Sequence, residues 1–321
     1  MRALWFLVLW PVVAFATPAV FEWNAMGTRV RLQVRGEDAE VSGAAMRDAA
    51  RSALEAVEAE TSAFRADSAV ARVSAAAGNG EWIASGEAFD AALGLALDVA
   101  AASGGAFNPL VAPLMEANGF ARRPPGMEAG VVGVPSAMLL DLSKIERRPG
   151  ACRLAEAGMG LDLGGVAKGF GADWAAKAAG KVAGNDFLLD VGGNLVGRGS
   201  WTVGVRDPRG GADAPPLRVF TLADGMAVAT SGNYERRAVR ADGTTVGHLF
   251  DPRTGHPAEG TVLQATAIAP TAAEADAWST ALFVLGPDEG RAVLSGRGTP
   301  AALWVLEDAS DGIHLVPYPP P

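Results

Sequence analysis

The sequence predicts an α+β fold, a single compact unit built on a mixed, largely antiparallel sheet with flanking helices. Three observations carry this. Strand-like runs follow one another in the second half of the chain instead of alternating with helices as a regular βαβ array requires. Few stretches show apolar residues at helical spacing. Linker signals are weak, and no short-period repeat or low-complexity tract divides the chain.

Taken in order, residues 1–16 read as a signal peptide. Arg2 starts it, an apolar run from Ala3 to Phe15 contains Pro11, and Ala14 and Ala16 form an A-x-A cleavage site before Thr17. The run is short for a bilayer span, which takes roughly 20 apolar residues. An uncleaved N-terminal anchor is the alternative reading of the same residues. Cleavage leaves 17–321 as the folded unit. Its first strand is "TRVRLQV", where Val30, Leu32 and Val34 alternate with polar neighbours. A helix over 39–64 puts Met46, Ala50, Leu54, Val57 and Phe64 near one face. A second, over 87–102, turns Phe89, Leu93, Leu97 and Ala100 inward and ends at "SGG". Residues 121–135 read as a Pro/Gly-rich loop. Strands follow in "FLLDVGGNLVG", "WTVGVRDP", "LRVFTLADGMAVATSG" and "TVLQATAIA", then a helix over 272–285. "AALWVLED" and "IHLVPY" form a closing hairpin, and the proline tail 319–321 frays.

Charge and cysteine narrow the function. With 27 Lys and Arg against 36 Asp and Glu the net charge is −9, which argues against nucleic acid as a partner. The single cysteine, Cys152, forms no internal disulfide and lies far from the cleavage site, so no lipid anchor is expected there. These features predict a soluble exported protein.

Three stretches carry candidate chemistry. "LDLGGVAKGFGAD" at 161–173 reads as strand, glycine turn and helix start. It matches neither a P-loop nor a G-x-G-x-x-G fingerprint. Such a turn still offers backbone N–H groups and a helix N-terminus to a phosphate. Lys168 adds a point charge and Asp162 an acceptor for a ligand donor. Packing of helix on strand through small residues, with Lys168 solvated, explains the same spacing equally well. In "TAAEADAWSTALFVLG" Thr271 and Glu274 form a capping box, and Gly286 with Pro287 closes the helix. Asp276 and Thr280, four apart, share a face. A carboxylate and a hydroxyl there suit Mg²⁺, although two oxygens are not a full shell and a plain polar stripe has the same spacing. Finally, Thr230, Ser231 and Gly232 form a polar turn, and His248 and His256 flank the turn "DPRTG". Either histidine is a proton shuttle near a diphosphate or a hydrogen-bonded loop residue. No Ser-His-Asp pattern is present, and three histidines with one cysteine, widely spaced, argue against zinc.

Eight stretches in order resemble the FAD:protein FMN transferase (ApbE-type) family: "NAMGT", "SAFRADSAVARVS", "GGAFNPLVAPL", "LDLGGVAKGFGAD", "LLDVGGNL", "TSGNYER", "HLFDPRTG" and "ADAWSTALFVLG". Each is modest alone; together they span most of residues 17–321. The resemblance implies a Mg²⁺-dependent enzyme that takes FAD as substrate, joins FMN to a threonine of a partner protein by a phosphoester bond, and releases AMP. The implied acceptor is a flavin-carrying subunit of a membrane redox complex with a Ser/Thr-Gly-Ala-Thr-like motif. The implied location is the periplasm or the outer face of the cytoplasmic membrane. An FAD pyrophosphatase and a non-catalytic flavin-binding protein are the alternatives. Carried over by position, the flavin-binding set is Met26, Ala106, Phe107, Asn108, Asp162, Lys168, Thr230, Ser231, Gly232 and His248. The metal set is the Gly165 carbonyl, Asp276, Ser279 and Thr280, and His248 is the catalytic residue. Ser279 stands where many relatives carry a second aspartate, which implies weaker Mg²⁺ binding or a water in that place; Asn108 replaces the aspartate common in the family's G-x-F-D-P, which leaves its role open.

Overall fold

A computed structural model describes residues 17–120, 137–211, 214–233, 237–239, 245–258, 260–310 and 312–319. The 1–16 signal segment and the 121–135 loop lie outside the described residues, as does the end of the proline tail.

Eight strands form the main sheet, and their order in space is their order in the chain. They are β1 (Ala19–Ala25), β2 (Thr28–Arg35), β3 (Asp186–Val191), β4 (Asn194–Arg198), β5 (Ala227–Gly232), β6 (Val262–Ala269), β7 (Ala301–Glu307) and β8 (Ile313–Tyr318). Every strand pairing among the described residues is antiparallel, so the expected α+β class with a largely antiparallel sheet is the observed one. The sequence-based reading began the sheet at β2. In fact β1 precedes it, joined through Met26 and Gly27, both at positive φ (51° and 69°). The alternation in β2 reads as expected, with Val30, Leu32 and Val34 fully buried.

Among the described residues six α-helices accompany the sheet: α1 (Ala39–Thr61), α2 (Ala69–Ala75), α3 (Glu87–Ala102), α4 (Ala112–Ala117), α5 (Ala167–Val182) and α6 (Ala272–Leu294). α1 ends at Thr61, before the expected 64. Ser62 turns extended, and its Oγ accepts from Phe64 N–H. Phe64 therefore leaves the core face on which its spacing placed it and is 46% exposed. Met46, Ala50, Leu54 and Val57 remain on the buried face, packed on β2, β3 and α5. Leu97 of α3 is half-buried against the core beside fully buried Phe89 and Leu93. α6 is interrupted where "GP" predicted an end: Gly286 adopts φ 66° and ψ −178°, and a second helical stretch starts at Pro287.

The 161–173 segment differs from its reading in one respect. Residues 161–163 pair with no strand. They form a buried extended stretch whose Asp162 N–H donates to Pro109 C=O at 2.8 Å, and α5 starts at Ala167. Helix-forming glycines in α5 answer to protein contacts. A Cβ at Gly169 would lie 2.7 Å from Asp276 Cβ, and one at Gly171 would lie 2.7 Å from Met26 Sδ. The small residues of α5 therefore admit α6 and the Met26 turn.

Candidate active site

A cavity of about 390 Å³ opens between α5, α6, the end of β5 and the loops around 106–108 and 248–252. Thirteen of the fourteen residues of the flavin-binding and metal sets line it; only Ser279 does not.

The polar end is built by α5 and α6. Asp162 Oδ1 accepts from Gly164 N–H at 2.7 Å, which closes the glycine turn. Lys168, in the first turn of α5, donates to Gly164 C=O at 2.9 Å and stands 3.6 Å from Asp276 Oδ1. Lys168 is thus only partly solvated: it lines the cavity and also faces Asp276. The other Asp276 oxygen accepts from Gly169 N–H at 2.9 Å. Burial pushes the Asp276 carboxyl above the ordinary carboxylate range, opposed by the Lys168 charge and the Gly169 N–H. Thr271 caps α6 by accepting from Glu274 N–H at 3.2 Å. Asp173 adds a second cap, its two oxygens accepting from Ala272 and Ala273 N–H at 2.8 and 2.9 Å. Burial holds the Asp173 carboxyl up at about 6.

Hydroxyls complete this end. Ser231 Oγ lies 2.8 Å from Ser279 Oγ and 3.1 Å from Thr280 Oγ1. Ser279 is fully buried and also donates to Asp276 C=O at 2.9 Å. The expected place of Ser279 in the metal set is therefore not on the cavity wall; its hydroxyl is spent bracing Ser231 and the helix backbone. Thr230 Oγ1 pairs with Thr266 Oγ1 at 2.8 Å. A Cβ at Gly165 would lie 3.2 Å from Thr280 Oγ1, so this backbone and that hydroxyl are neighbours.

Asp276, Thr280 and Gly165 all line the cavity and bring a carboxylate, a hydroxyl and a backbone carbonyl, oxygen donors of the kind a hard cation prefers. Among the described residues no group of three or more His, Cys, Asp or Glu side chains is placed to hold a metal. A cation here would rest on one carboxylate, a hydroxyl and backbone oxygen, and phosphate oxygens or water would have to complete its shell.

The apolar part of the wall includes Phe64, Phe107, Val111, Met115 and Phe250, beside Arg65, and Phe107 reaches Gly165, where a Cβ would lie 2.9 Å from its Cε2. Asn108 lines the cavity, yet both ends of its amide serve the fold: Nδ2 donates to Leu140 C=O at 2.9 Å and Oδ1 accepts from Leu110 N–H at 2.8 Å. His248 is on the wall, whereas exposed His256 is not. Sequence reasoning missed Phe64, Arg65 and Glu58 as wall residues. Phe64 and Arg65 lay in plain view inside "SAFRADSAVARVS", but helical spacing claimed Phe64 for the core. Glu58, which accepts from Met26 N–H at 3.2 Å, carried no signal of its own.

Comparison with known proteins gives the family and the fold. The ApbE family model matches residues 26–304. A FAD:protein FMN transferase of Treponema pallidum is 35% identical, the match covering 89% of this chain and 84% of that protein. One from Escherichia coli K12 is 31% identical, with 91% and 85% covered. Among solved structures, the ApbE protein of Thermotoga maritima superposes with a TM-score of 0.77 at 28% identity, over 92% of this chain and 96% of that one. The apo Pseudomonas stutzeri flavinyl transferase ApbE gives 0.75 at 25% identity, over 94% and 95%.

Proposed function

Because this chain belongs to the ApbE family, we propose that its cavity is a flavin-transfer site whose polar end takes the diphosphate and whose apolar wall takes a ring. The protein is a FAD:protein FMN transferase. The observation that carries the assignment of residues is the convergence of the 162–168 turn, the Asp276 and Thr280 face and His248 on one cavity. The acceptor is a threonine of an exported flavin-carrying subunit of a membrane redox complex, and the enzyme works outside the cytoplasmic membrane after loss of residues 1–16.

In this reading the threonine oxygen bonds to the FMN-side phosphorus as the bond from that phosphorus to the bridging oxygen breaks, releasing AMP. His248 accepts the hydroxyl proton. Lys168 and the 164–165 backbone bind the diphosphate at the start of α5. Asp276, Thr280 and the Gly165 carbonyl would hold Mg²⁺, which supplies charge neutralisation at the phosphates when bound. Phe64 and Phe107 exclude water and hold a ring.

The test is mass spectrometry of a synthetic Ser-Gly-Ala-Thr peptide incubated with the protein, FAD and Mg²⁺. An added FMN mass on the threonine with stoichiometric AMP is expected. Free FMN with unmodified peptide would replace transfer by hydrolysis.

A further inference from the structure

We infer that Asn233 is a positioning residue for His248, an inference that rests on the role given to His248 above. Asn233 directly follows β5, and its carboxamide acts at the neck of the loop after His248 as a third strand's peptide group would. Oδ1 accepts from Leu249 N–H at 3.0 Å, and Nδ2 donates to Ala258 C=O at 3.1 Å. The other two groups at that neck pair with each other, Ala258 N–H donating to Leu249 C=O at 2.8 Å. One side chain thus completes the backbone hydrogen bonding of the neck.

The same side chain touches the residue on the other side of His248. A Cβ at Gly247 would lie 2.6 Å from Asn233 Cβ, so Gly247 rests directly on Asn233. His248 is therefore held between two residues, Gly247 and Leu249, that both bear on Asn233. Two positions earlier, Ser231 bonds Thr280 and Ser279 of α6. The end of β5 registers the His248 loop against the helix that carries Asp276. Asn233 is not on the cavity wall, so its influence on the reaction runs through His248. The position requires a group that both donates and accepts. Aspartate keeps the bond from Leu249 N–H and loses the one to Ala258 C=O; leucine loses both.

The experiment is a double-mutant cycle with FAD, Mg²⁺ and the Ser-Gly-Ala-Thr peptide, reading AMP release, KM for FAD and melting temperature. Misplacing a reacting group by about 1 Å costs on the order of 100-fold in rate. Asn233→Leu is expected to lower kcat roughly 100-fold and Asn233→Asp about 10-fold on the same scale, with KM for FAD within about twofold. In a His248→Ala background neither change should lower kcat further, because groups that act as a unit are not additive. Wild-type kcat in both single variants, or full additivity with His248→Ala, would overturn the inference. Should Asn233→Leu not fold, Asn233→Asp carries the cycle alone. If His248→Ala itself retains wild-type transfer, it is the role of His248 that fails.

Discussion

Gly169→Ala tests the claim that α5 carries glycine so that α6 can approach. The added Cβ would lie 2.6 Å from the Ala272 carbonyl carbon and 2.7 Å from Asp276 Cβ, where ordinary contact starts at 3.4 Å. The Ala272 carbonyl oxygen lies nearer still, and none of these neighbours is the far end of a flexible side chain, so the helices must part by more than about 0.8 Å, the shortfall at the carbonyl carbon alone. Overpacking of this kind costs up to about 3 kcal/mol. Alanine regains about 1 kcal/mol of helix propensity over glycine. The net loss of about 2 kcal/mol lowers the melting temperature by roughly 3 °C. The shift also draws the Gly169 N–H away from Asp276, so Mg²⁺-dependent AMP release falls about 10- to 100-fold. Gly94→Ala in α3 is the control, since its Cβ meets Arg147 Nη2 at an ordinary 3.6 Å; it should stabilise by about 0.5–1 kcal/mol. Differential scanning calorimetry with AMP quantification decides. A Gly169→Ala protein as stable as Gly94→Ala and fully active would refute the packing argument.

Asp276→Asn keeps an acceptor for Gly169 N–H but removes the buried charge. AMP release should fall at least about 100-fold, and the melting temperature should fall too, because the partly buried Lys168 charge loses its carboxylate partner. Asp173, held up at about 6 against 3.8 unfolded, binds a proton in the folded state over a range where the unfolded chain has lost it. Its favourable contribution is present below about pH 4 and lost as pH rises through about 6, a change on the order of 2–3 kcal/mol. Urea unfolding at pH 4.5 and 7 should therefore show a steeper loss with rising pH in wild type than in Asp173→Asn. Asn108→Asp retains the bond from Leu110 N–H but sets a carboxylate oxygen against Leu140 C=O. It should cost about 1–2 kcal/mol in urea unfolding.

Local chemistry explains which parts of the structure were legible. β2 could be read because its alternation is strict and one face is buried, and the start of α6 because Thr271 and Glu274 form a cap. The end of α1 could not, since Phe64 continues the helical spacing and only the Ser62 turn removes it from the core. For residues 161–163, an apolar run buried on all sides looks the same whether or not a neighbouring strand pairs with it. The cavity residues were legible as short motifs; their partners were not. Nothing in one dimension shows that Ser279 turns to Ser231, or that Asn108 spends its amide on Leu140 and Leu110.

Those two positions show how the fold settles what composition leaves open. A serine at 279 on a cavity wall would be a weak metal ligand. Buried and bonded to Ser231 and to Asp276 C=O, it instead fixes the relation between β5 and α6. Asp276 is then the only carboxylate that α6 contributes to the cavity wall, and its position depends on contacts far apart in sequence. Gly169 admits it, Gly169 N–H and Lys168 bracket its two oxygens, and Asp173 fixes the helix start one turn before it. A cation held by so few protein oxygens needs the substrate's phosphates to complete its shell. The expected outcome is that Mg²⁺ affinity, measured by calorimetry, rises when FAD is present, and that this rise shrinks when the glycine turn is disturbed.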